Sequence, residues 1–472
     1  MTDYFVSSSA GNDTNTGLSH EQAFASITHV NTLLNNNTIT RGDTVRFNRG
    51  DTFYGKLRPQ SLTFTRAGDV RFMPYSVLDI NTKPILSSYK LLNIEPGWTM
   101  HAVGVWKISL SDANHGTTHT GYDGAQGGET NIGFLKVDGM IYGAKKFTLG
   151  ELSTAWDFYN DGADLYVKSS ANPTTLADDI RAAPDGDGIT VGSSQQIIGL
   201  KVVGSGGHGI AGSSRRSYIY GNEITECGGS ALVGYGDGTT RYGNGIQLWI
   251  GSKDSLIEYN MISEIYDAAY SIQGSESSIT PNIPRLLNIH FRKNLIHHCA
   301  QSVEFWMSGT QIDGAGFINC TVTDNVCLFA GGGRFTQFRP TFANHVHILT
   351  YGWDFPDSDL LIGGNVFYDA TSAHMYSSLP TPGLTRTGNI VMLRAGTKMM
   401  YQDADTIEDA EGWAVADGND VGTIFGIIPD GEGMNVNDAL AWLAESYSLP
   451  HSRRMLARLV VIEGQTQAVA LA

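Results

Sequence analysis

Cysteine is scarce in this chain. Cys227, Cys299, Cys320 and Cys327 are the four among 472 residues. Their spacing matches no zinc motif. Cys227 and Cys299 share one slot of a repeat described below, where a small apolar side chain would point inward, so they read as buried free thiols. That reading leaves the redox compartment open. Basic charge is also in deficit: 31 Lys and Arg against 47 Asp and Glu give a formal net charge of −16. Nucleic acid and anionic membranes are poor partners for such a surface, because phosphate binding needs a basic footprint. An acidic polysaccharide in a local basic groove stays compatible, since net charge describes only the whole surface. No apolar run approaches the ~18 residues of a membrane span. The start "MTDYFVSSSAG" has neither the basic beginning nor the apolar stretch of a signal peptide; a secreted form would need another route or a leader already removed. Long runs of Ala, Leu, Glu and Lys that would build helices are nearly absent.

Glycine is what the chain has in excess, 56 of 472 residues or about 12 %, against a usual ~7 %. Most glycines lie in short turn-like clusters, as in an all-β protein with many corners. A hydrophobic share of 41 % excludes a disordered chain, and the length allows one large domain or two to three ordinary ones.

One short stretch recurs. "YGNEITECGG" from Tyr220 returns as "EYNMISEIYD" from Glu258, "RKNLIHHCAQ" from Arg292, "TDNVCLFAGG" from Thr323 and "GGNVFYDATS" from Gly363. The shared asparagines, Asn222, Asn260, Asn294, Asn325, Asn365 and Asn389, are 24 to 40 residues apart. Repetition at such spacing signals a solenoid. Segments such as Ser217–Ile219 and Leu286–Phe291 alternate apolar with polar residues, so the repeating unit is a strand. Asn tolerates left-handed backbone at a corner and bonds the backbone with its amide. Stacked Asn side chains can also bond one another between rungs. The expectation is a structural ladder, with the apolar residue two positions later pointing into the core.

The N-terminal pattern "YFVSSSAGNDTNTGLSHEQAFASI" followed by "GDTVRFNRGDTFYG" resembles the opening of right-handed parallel β-helix carbohydrate-active proteins of the pectate-lyase-like group. That group includes glycoside hydrolases, polysaccharide lyases and phage tailspike depolymerases. The resemblance covers Asp3 to about Leu57 well and resumes loosely from Gly188 to about Leu393. It implies an all-β, right-handed parallel β-helix with an N-terminal capping helix, in which Phe24, Ile27, Val30, Leu33 and Leu34 recur at helical spacing. Four regions are expected: the cap and first rungs (1–92), an aromatic-rich β-sandwich-like insertion (93–183), the main β-helix with a substrate groove (184–402) and a C-terminal cap or association segment (403–472). In the last, "NVNDALAWLAESY" has Asn435 as N-cap and one apolar face, and is expected to close the open end or mediate self-association. The partner implied is a polysaccharide or oligosaccharide, with no nucleic acid and no membrane. An extracellular or virion-associated setting follows, with a trimer if the chain is a tailspike.

Counting nine or ten residues on from each Asn gives the side chains that stack on an outer face: Ala231/Leu232, Ala269/Tyr270, Val303/Glu304, Arg334/Phe335 and His374/Met375. Glu304 with Asp267 supplies the paired carboxyls of glycoside hydrolysis, with Glu264 and Asp237 in reserve. A lyase would instead use Tyr270, His298 or Lys253 as base and Arg334 or a bound cation against a uronate carboxylate. The catalytic candidates are therefore Glu304, Asp267, Tyr270, Arg334 and His298. Trp249, Trp306, Gln247, Lys253, His374 and His208 are the substrate-binding candidates, the tryptophans as platforms for sugar rings. His208, in "SGGHGI", is weakly placed, because no Asn-Thr-Asp motif precedes it. His345 and His347 in "NHVHI" form a potential metal pair without a third ligand, and "DGDG" from Asp185 a potential Ca²⁺ turn without enough ligands. No cofactor is otherwise expected, and hydrolysis is favoured over elimination.

Overall fold

The computed structural model describes residues 1–59, 68–76, 82–93, 97–110, 131–232, 235, 238–275, 285–335, 345–378, 380–431 and 435–447. The expected coil is there. Three long sheets run the length of the molecule: a first of twelve strands, from Asp3–Val6 to Asp420–Val421, a second of ten, from Thr52–Tyr54 to Ile424–Ile427, and a third of eight, from Ile189–Thr190 to Lys398–Met400. The chain visits first, second and third sheet in turn, and each strand pairs in parallel with its counterpart one rung later, as in Tyr218↔Leu256, Glu223↔Met261 and Ile246↔Tyr270.

In-register pairing stacks like on like. In the first sheet one inward column runs Val45, Phe72, Ile197, Ile219, Ile257, Phe291, Val322 and Ile362. In the second the matching column runs Phe53, Leu86, Val202, Ile224, Ile262, Ile296, Cys327 and Phe367. Both belong to one continuous apolar core. The four cysteines are free and buried, and Cys227 and Cys299 both point into that core.

The asparagine ladder is continuous. Asn222 Nδ2 donates to Asn260 Oδ1 at 3.0 Å, Asn260 to Asn294 at 3.0 Å, Asn294 to Asn325 at 3.0 Å, Asn325 to Asn365 at 2.9 Å and Asn365 to Asn389 at 3.1 Å. Each acceptor oxygen also takes the preceding Asn's backbone N–H. One part of the expectation is corrected: the left-handed residue is not the asparagine but the residue before it, Gly221, Tyr259, Lys293, Asp324, Gly364 or Gly388, with φ between 56° and 64°. Each of these six corners from first to second sheet is therefore two residues long. One residue turns the chain, and the next ties it to the rung above. The strain of φ > 0 at Tyr259 and Lys293 is held by the buried amide bonds beside them.

The N-terminal end is closed by the helix Ile27–Asn35, whose Ser26 N-cap accepts from His29 N–H at 3.1 Å while Ile27, Val30 and Leu34 face the core. The C-terminal end is closed by Ala410–Asp417, with Ala410, Trp413 and Ala414 against the last rung. There the first sheet's apolar column ends in Arg386, aligned with Ile362 and buried in a 3.1 Å pair with Asp420 under the Trp413 ring. The helix Val436–Tyr447, expected at this end, lies elsewhere. Asn435 does cap it, accepting from Asp438 N–H at 3.0 Å, but Ala439, Leu440 and Leu443 pack on the outside of the second sheet, over Leu328, Tyr368 and Met392. Among the described residues no helix is long and apolar enough to cross a membrane.

Between Lys90 and Pro184 two four-stranded antiparallel sheets enclose a core of their own, including Trp98, Ile108, Leu135, Phe158 and Val167. One strand, Ile132–Val137, lies against the turns that lead from second to third sheet. The approach is so close that a Cβ at Gly133 would meet Gly228 O at 2.5 Å and Gly206 Cα at 2.9 Å. Glycine is required there by space.

Candidate functional site

The outer face of the third sheet can be read from its ladder. The residues Ala211, Gln247, Ser271, Glu304, Leu349 and Tyr376 align across successive rungs, and beside them Trp249, Gln273 and Trp306 align in the same way. Their neighbours Ile246, Leu248, Ile272, Val303 and Phe305 face the core. Alternation within each strand thus places Gln247, Trp249, Gln273, Glu304 and Trp306 on one outer surface.

These side chains form a network around Glu304, itself 5 % exposed. Asn244 Nδ2 donates to Gln247 Oε1 at 2.7 Å and to Glu304 Oε2 at 3.3 Å. Gln273 Nε2 donates to the same two oxygens at 3.0 and 3.3 Å. Gln247 and Glu304 stand two rungs apart, about 9.6 Å at the usual strand spacing, and the small Ser271 between them lets the long amides reach across. Asn244 is held in turn, its Oδ1 accepting from Ala268 N–H at 2.8 Å. His208 accepts Asn244's backbone N–H on Nδ1 at 2.9 Å, so the neutral ring carries its proton on Nε2. Burial holds its pKa down to about 3. Its ring meets the edges of Tyr242 and Trp249, with centroids 5.2 and 5.6 Å away. Tyr242 OH donates to Asp185 at 2.6 Å. Trp249 is 36 % exposed and Trp306 half-buried, leaving ring surface along the edge of the network.

The expected residues divide among five places. Glu304, Gln247, Trp249, Trp306 and His208 share the outer face. Asp267 lies at the entry to the same sheet, half-buried, its N–H bonded to Gly243 O at 3.2 Å and its carbonyl taking Gln301 N–H at 3.3 Å. Arg334 and His298 sit instead at the corner between second and third sheets, on a second column of left-handed residues: Glu226, Glu264, His298, Phe329 and Asp369. Arg334 stands 3.6 Å from Glu226 and 3.9 Å from Glu264, and its N–H donates to Glu264 at 2.8 Å. Burial raises the Glu264 pKa against that support. Glu226 also receives Lys136 of the insertion at 2.7 Å and Tyr89 OH at 2.8 Å. His298 stacks on Phe329 at 5.1 Å, and burial followed by the Arg334 charge lowers its pKa. This second cluster joins the insertion to the coil.

Two residues expected on the outer face are in the core. Tyr270 stacks on Phe291 with centroids 4.1 Å apart, 1 % exposed. His374 packs against Phe367 at 5.2 Å, 1 % exposed. For Tyr270 the cause is one extra residue. Ala268 pairs with Gln301, whereas the left-handed residues before them are Glu264 and His298; three residues intervene in one rung and two in the other. A one-residue offset reverses every side chain beyond it. Lys253 is removed differently, lying past Trp249 at the corner from third to first sheet. Asp237 lies outside the described residues.

The His345–His347 pair is also reassigned. His347 is buried, within hydrogen-bond reach of Ser302 Oγ at 2.9 Å. Asp185 is fully buried and occupied by Tyr242. Among the described residues no three His, Cys, Asp or Glu side chains are grouped closely enough to hold a metal ion. Asn244 and Gln273 were missed as site residues. Their signal is visible only when rungs are aligned on the third-sheet strands, "NGIQLW", "AAYSIQG" and "QSVEFWM", rather than on the asparagines.

A family model described as a right handed beta helix region matches residues 161–344. No curated protein sequence matches the chain significantly. Among solved structures, the chain is similar to a protein described as a glycoside hydrolase, at 10 % identity over 92 % of this chain and 98 % of that one, with a TM-score of 0.46. It is similar to an alginate lyase from Paenibacillus sp. str. FPU-7 at 13 % identity, 85 % and 97 % coverage and a TM-score of 0.39. A third is the Dettilon tailspike protein, at 10 % identity, 90 % and 68 % coverage and a TM-score of 0.30. None of the three carries an activity over to this chain.

Proposed function

We propose that the chain cleaves glycosidic bonds of a polysaccharide lying along the outer face of the third sheet, by hydrolysis, with Glu304 as the acid that protonates the leaving oxygen. The observation that carries this reading is the amide network of Asn244 and Gln273 converging on the Glu304 carboxyl beside Trp249 and Trp306. Amide donors fix the orientation of a carboxyl, and indole faces hold the apolar side of a sugar ring. His208 Nε2–H adds a neutral donor for a hydroxyl. Asp267 is the second carboxyl. Its position along the ladder is four residues and one rung from Glu304, about 14 Å between Cα atoms at ordinary strand spacing. That separation leaves room for a water between the carboxyl groups, as inversion requires, and is long for direct attack on the sugar.

Elimination is less well supported. Of its candidate bases, Tyr270 is in the core, His298 belongs to the corner cluster, and Lys253 lies beyond the far edge of the sheet. The test is a panel of neutral and acidic polysaccharides read for new reducing ends and for the ultraviolet absorbance of an unsaturated product. Reducing ends without that absorbance, lost in Glu304→Gln with the fold intact, are expected. The absorbance would establish a lyase, silence on every glycan a binding protein, and full activity in Glu304→Gln would remove Glu304 from the site.

A further inference from the structure

Gln247, a substrate-binding candidate by sequence, is fully buried. It stands two rungs from Glu304 with Ser271 between them. Gln247 Oε1 and Glu304 Oε2 share the same two donors. Asn244 Nδ2 and Gln273 Nε2 carry two hydrogens each, and each amide sends one to either oxygen. The distances are 2.7 and 3.0 Å to Gln247, and 3.3 Å to Glu304 in both cases. Four hydrogens meet four lone pairs, and the ring is closed. One backbone group fixes its sense. Ala268 N–H can only donate, so Asn244 Oδ1 accepts it, at 2.8 Å, and Nδ2 must face the ring. Gln247 then presents oxygen rather than nitrogen, and Gln273 presents nitrogen. Both lone pairs of Glu304 Oε2 are taken by the amides, so a protonated Glu304 carries its hydrogen on Oε1.

A carboxylate in the place of the Gln247 amide would have nearly the same shape and the opposite effect. It would strengthen the two shorter bonds by its charge, draw both amides from Glu304, and face that group as a like charge. We infer that Gln247 is a positioning residue for Glu304: its neutral oxygen fixes both amides and leaves Glu304 the only carboxyl in the ring. This inference rests on Glu304 being the acid of the third-sheet face. Among the described residues, the ionisable side chains on the elements around the ring are Asp185, His208, Tyr242 and Asp267. Arg241 turns away to Gly133 O and Gly229 O, and apolar Leu349 follows Glu304 on the next rung. A substitution at 247 therefore changes the charge beside Glu304 and leaves those groups as they are.

The test has two readouts. The first needs no substrate: urea unfolding of the full chain at neutral pH, carrying Gln247→Glu, Glu304→Gln or both. Gln247→Glu should lower the midpoint. Adding Glu304→Gln should restore most of that loss, because the ring again holds a single carboxyl. The second is the pH profile of kcat/KM on a glycan that the chain cleaves. An acid works only while protonated, so activity falls as pH rises through its pKa. A carboxylate beside it retains the proton to higher pH, so Gln247→Glu should move the alkaline limb up by about one unit or more. Gln247→Leu removes the acceptor without adding charge. It should lower kcat about tenfold and leave KM unchanged, since a buried residue 247 does not touch the substrate. Additive losses in the unfolding cycle, or an unmoved alkaline limb in a folded Gln247→Glu protein, would overturn the inference. A Glu304→Gln protein that still cleaves, or silence on every glycan, would overturn the catalytic reading instead. The unfolding cycle would then still decide whether Gln247 holds the Glu304 carboxyl.

Discussion

Replacing Asn294 by Ala tests what holds the rungs in register. The Asn294 side chain takes part in five hydrogen bonds: Oδ1 accepts Asn260 N–H and Nδ2–H, and Nδ2 donates to Ile257 O, Arg292 O and Asn325 Oδ1. Nδ2 has two hydrogens for its three acceptors, so the side chain makes the equivalent of about four bonds; at about 1 kcal/mol net for each, the loss is about 4 kcal/mol, with more added if the buried Asn260 N–H finds no other acceptor. Asn389 near the end of the ladder makes three such bonds, to Asn365 N–H, Asn365 Nδ2–H and Ile362 O, so Asn389→Ala should cost about 3 kcal/mol. Urea unfolding followed by tryptophan fluorescence reads both, and a shared slope makes the midpoints directly comparable. Asn294→Asp separates donor from acceptor, since it keeps Oδ1 but turns an oxygen toward Ile257 O and Arg292 O; it should be at least as damaging at neutral pH. Equal midpoints for the two alanine variants, or a loss below about 1 kcal/mol at Asn294, would refute the ladder as a source of stability.

Other outcomes follow from buried groups. Tyr270 OH has no hydrogen-bond partner among the described residues and the ring is in the core, so Tyr270→Phe should leave turnover unchanged and raise stability by up to about 1 kcal/mol; lost activity would return Tyr270 to the site. Asp420→Ala strands the buried Arg386 and should cost about 3–5 kcal/mol, whereas Arg386→Met with Asp420→Ala should recover most of that loss. Double-variant unfolding that adds the two single losses would disprove the coupling. Burial holds the pKa of His208 and His374 down to about 3, and that of His347 well below its ordinary value. These rings stay neutral when folded and bind protons when unfolded, so the stability they contribute is complete above about pH 6.5 and declines as pH falls toward their folded values. Each should cost roughly 1 kcal/mol by pH 5.5; a flat unfolding midpoint from pH 8 to 5.5 would contradict their burial.

The coil was legible because its signal is repeated: six asparagines, each followed two positions later by Ile, Val, Phe or, once, Cys, require no knowledge of what lies between. The left-handed residue was not, since Tyr259, Lys293 and Asp324 carry no preference strong enough to mark it, and the conformation is imposed by the Asn beside each. Site residues depended on counting across the second corner. There an additional residue before Ala268 turns Tyr270 inward, whereas Glu304 was reached without offset. The stripe of Ala439, Leu440 and Leu443 told that a helix is covered, but a stripe does not say by which surface.

The two kinds of corner differ in what they tolerate. At the asparagine corner the turn is two residues in all six rungs, because a longer one would carry an amide out of reach of the next. The passage from second to third sheet has no such tether, and it is there that the chain departs for the stretches holding Tyr242 and Arg334. New surface can therefore be acquired by lengthening those passages, beside the outer face of the third sheet, without disturbing the spine that keeps neighbouring turns aligned. A protein library diversified at 232–240 should keep its fold where one diversified at 221–222 should not.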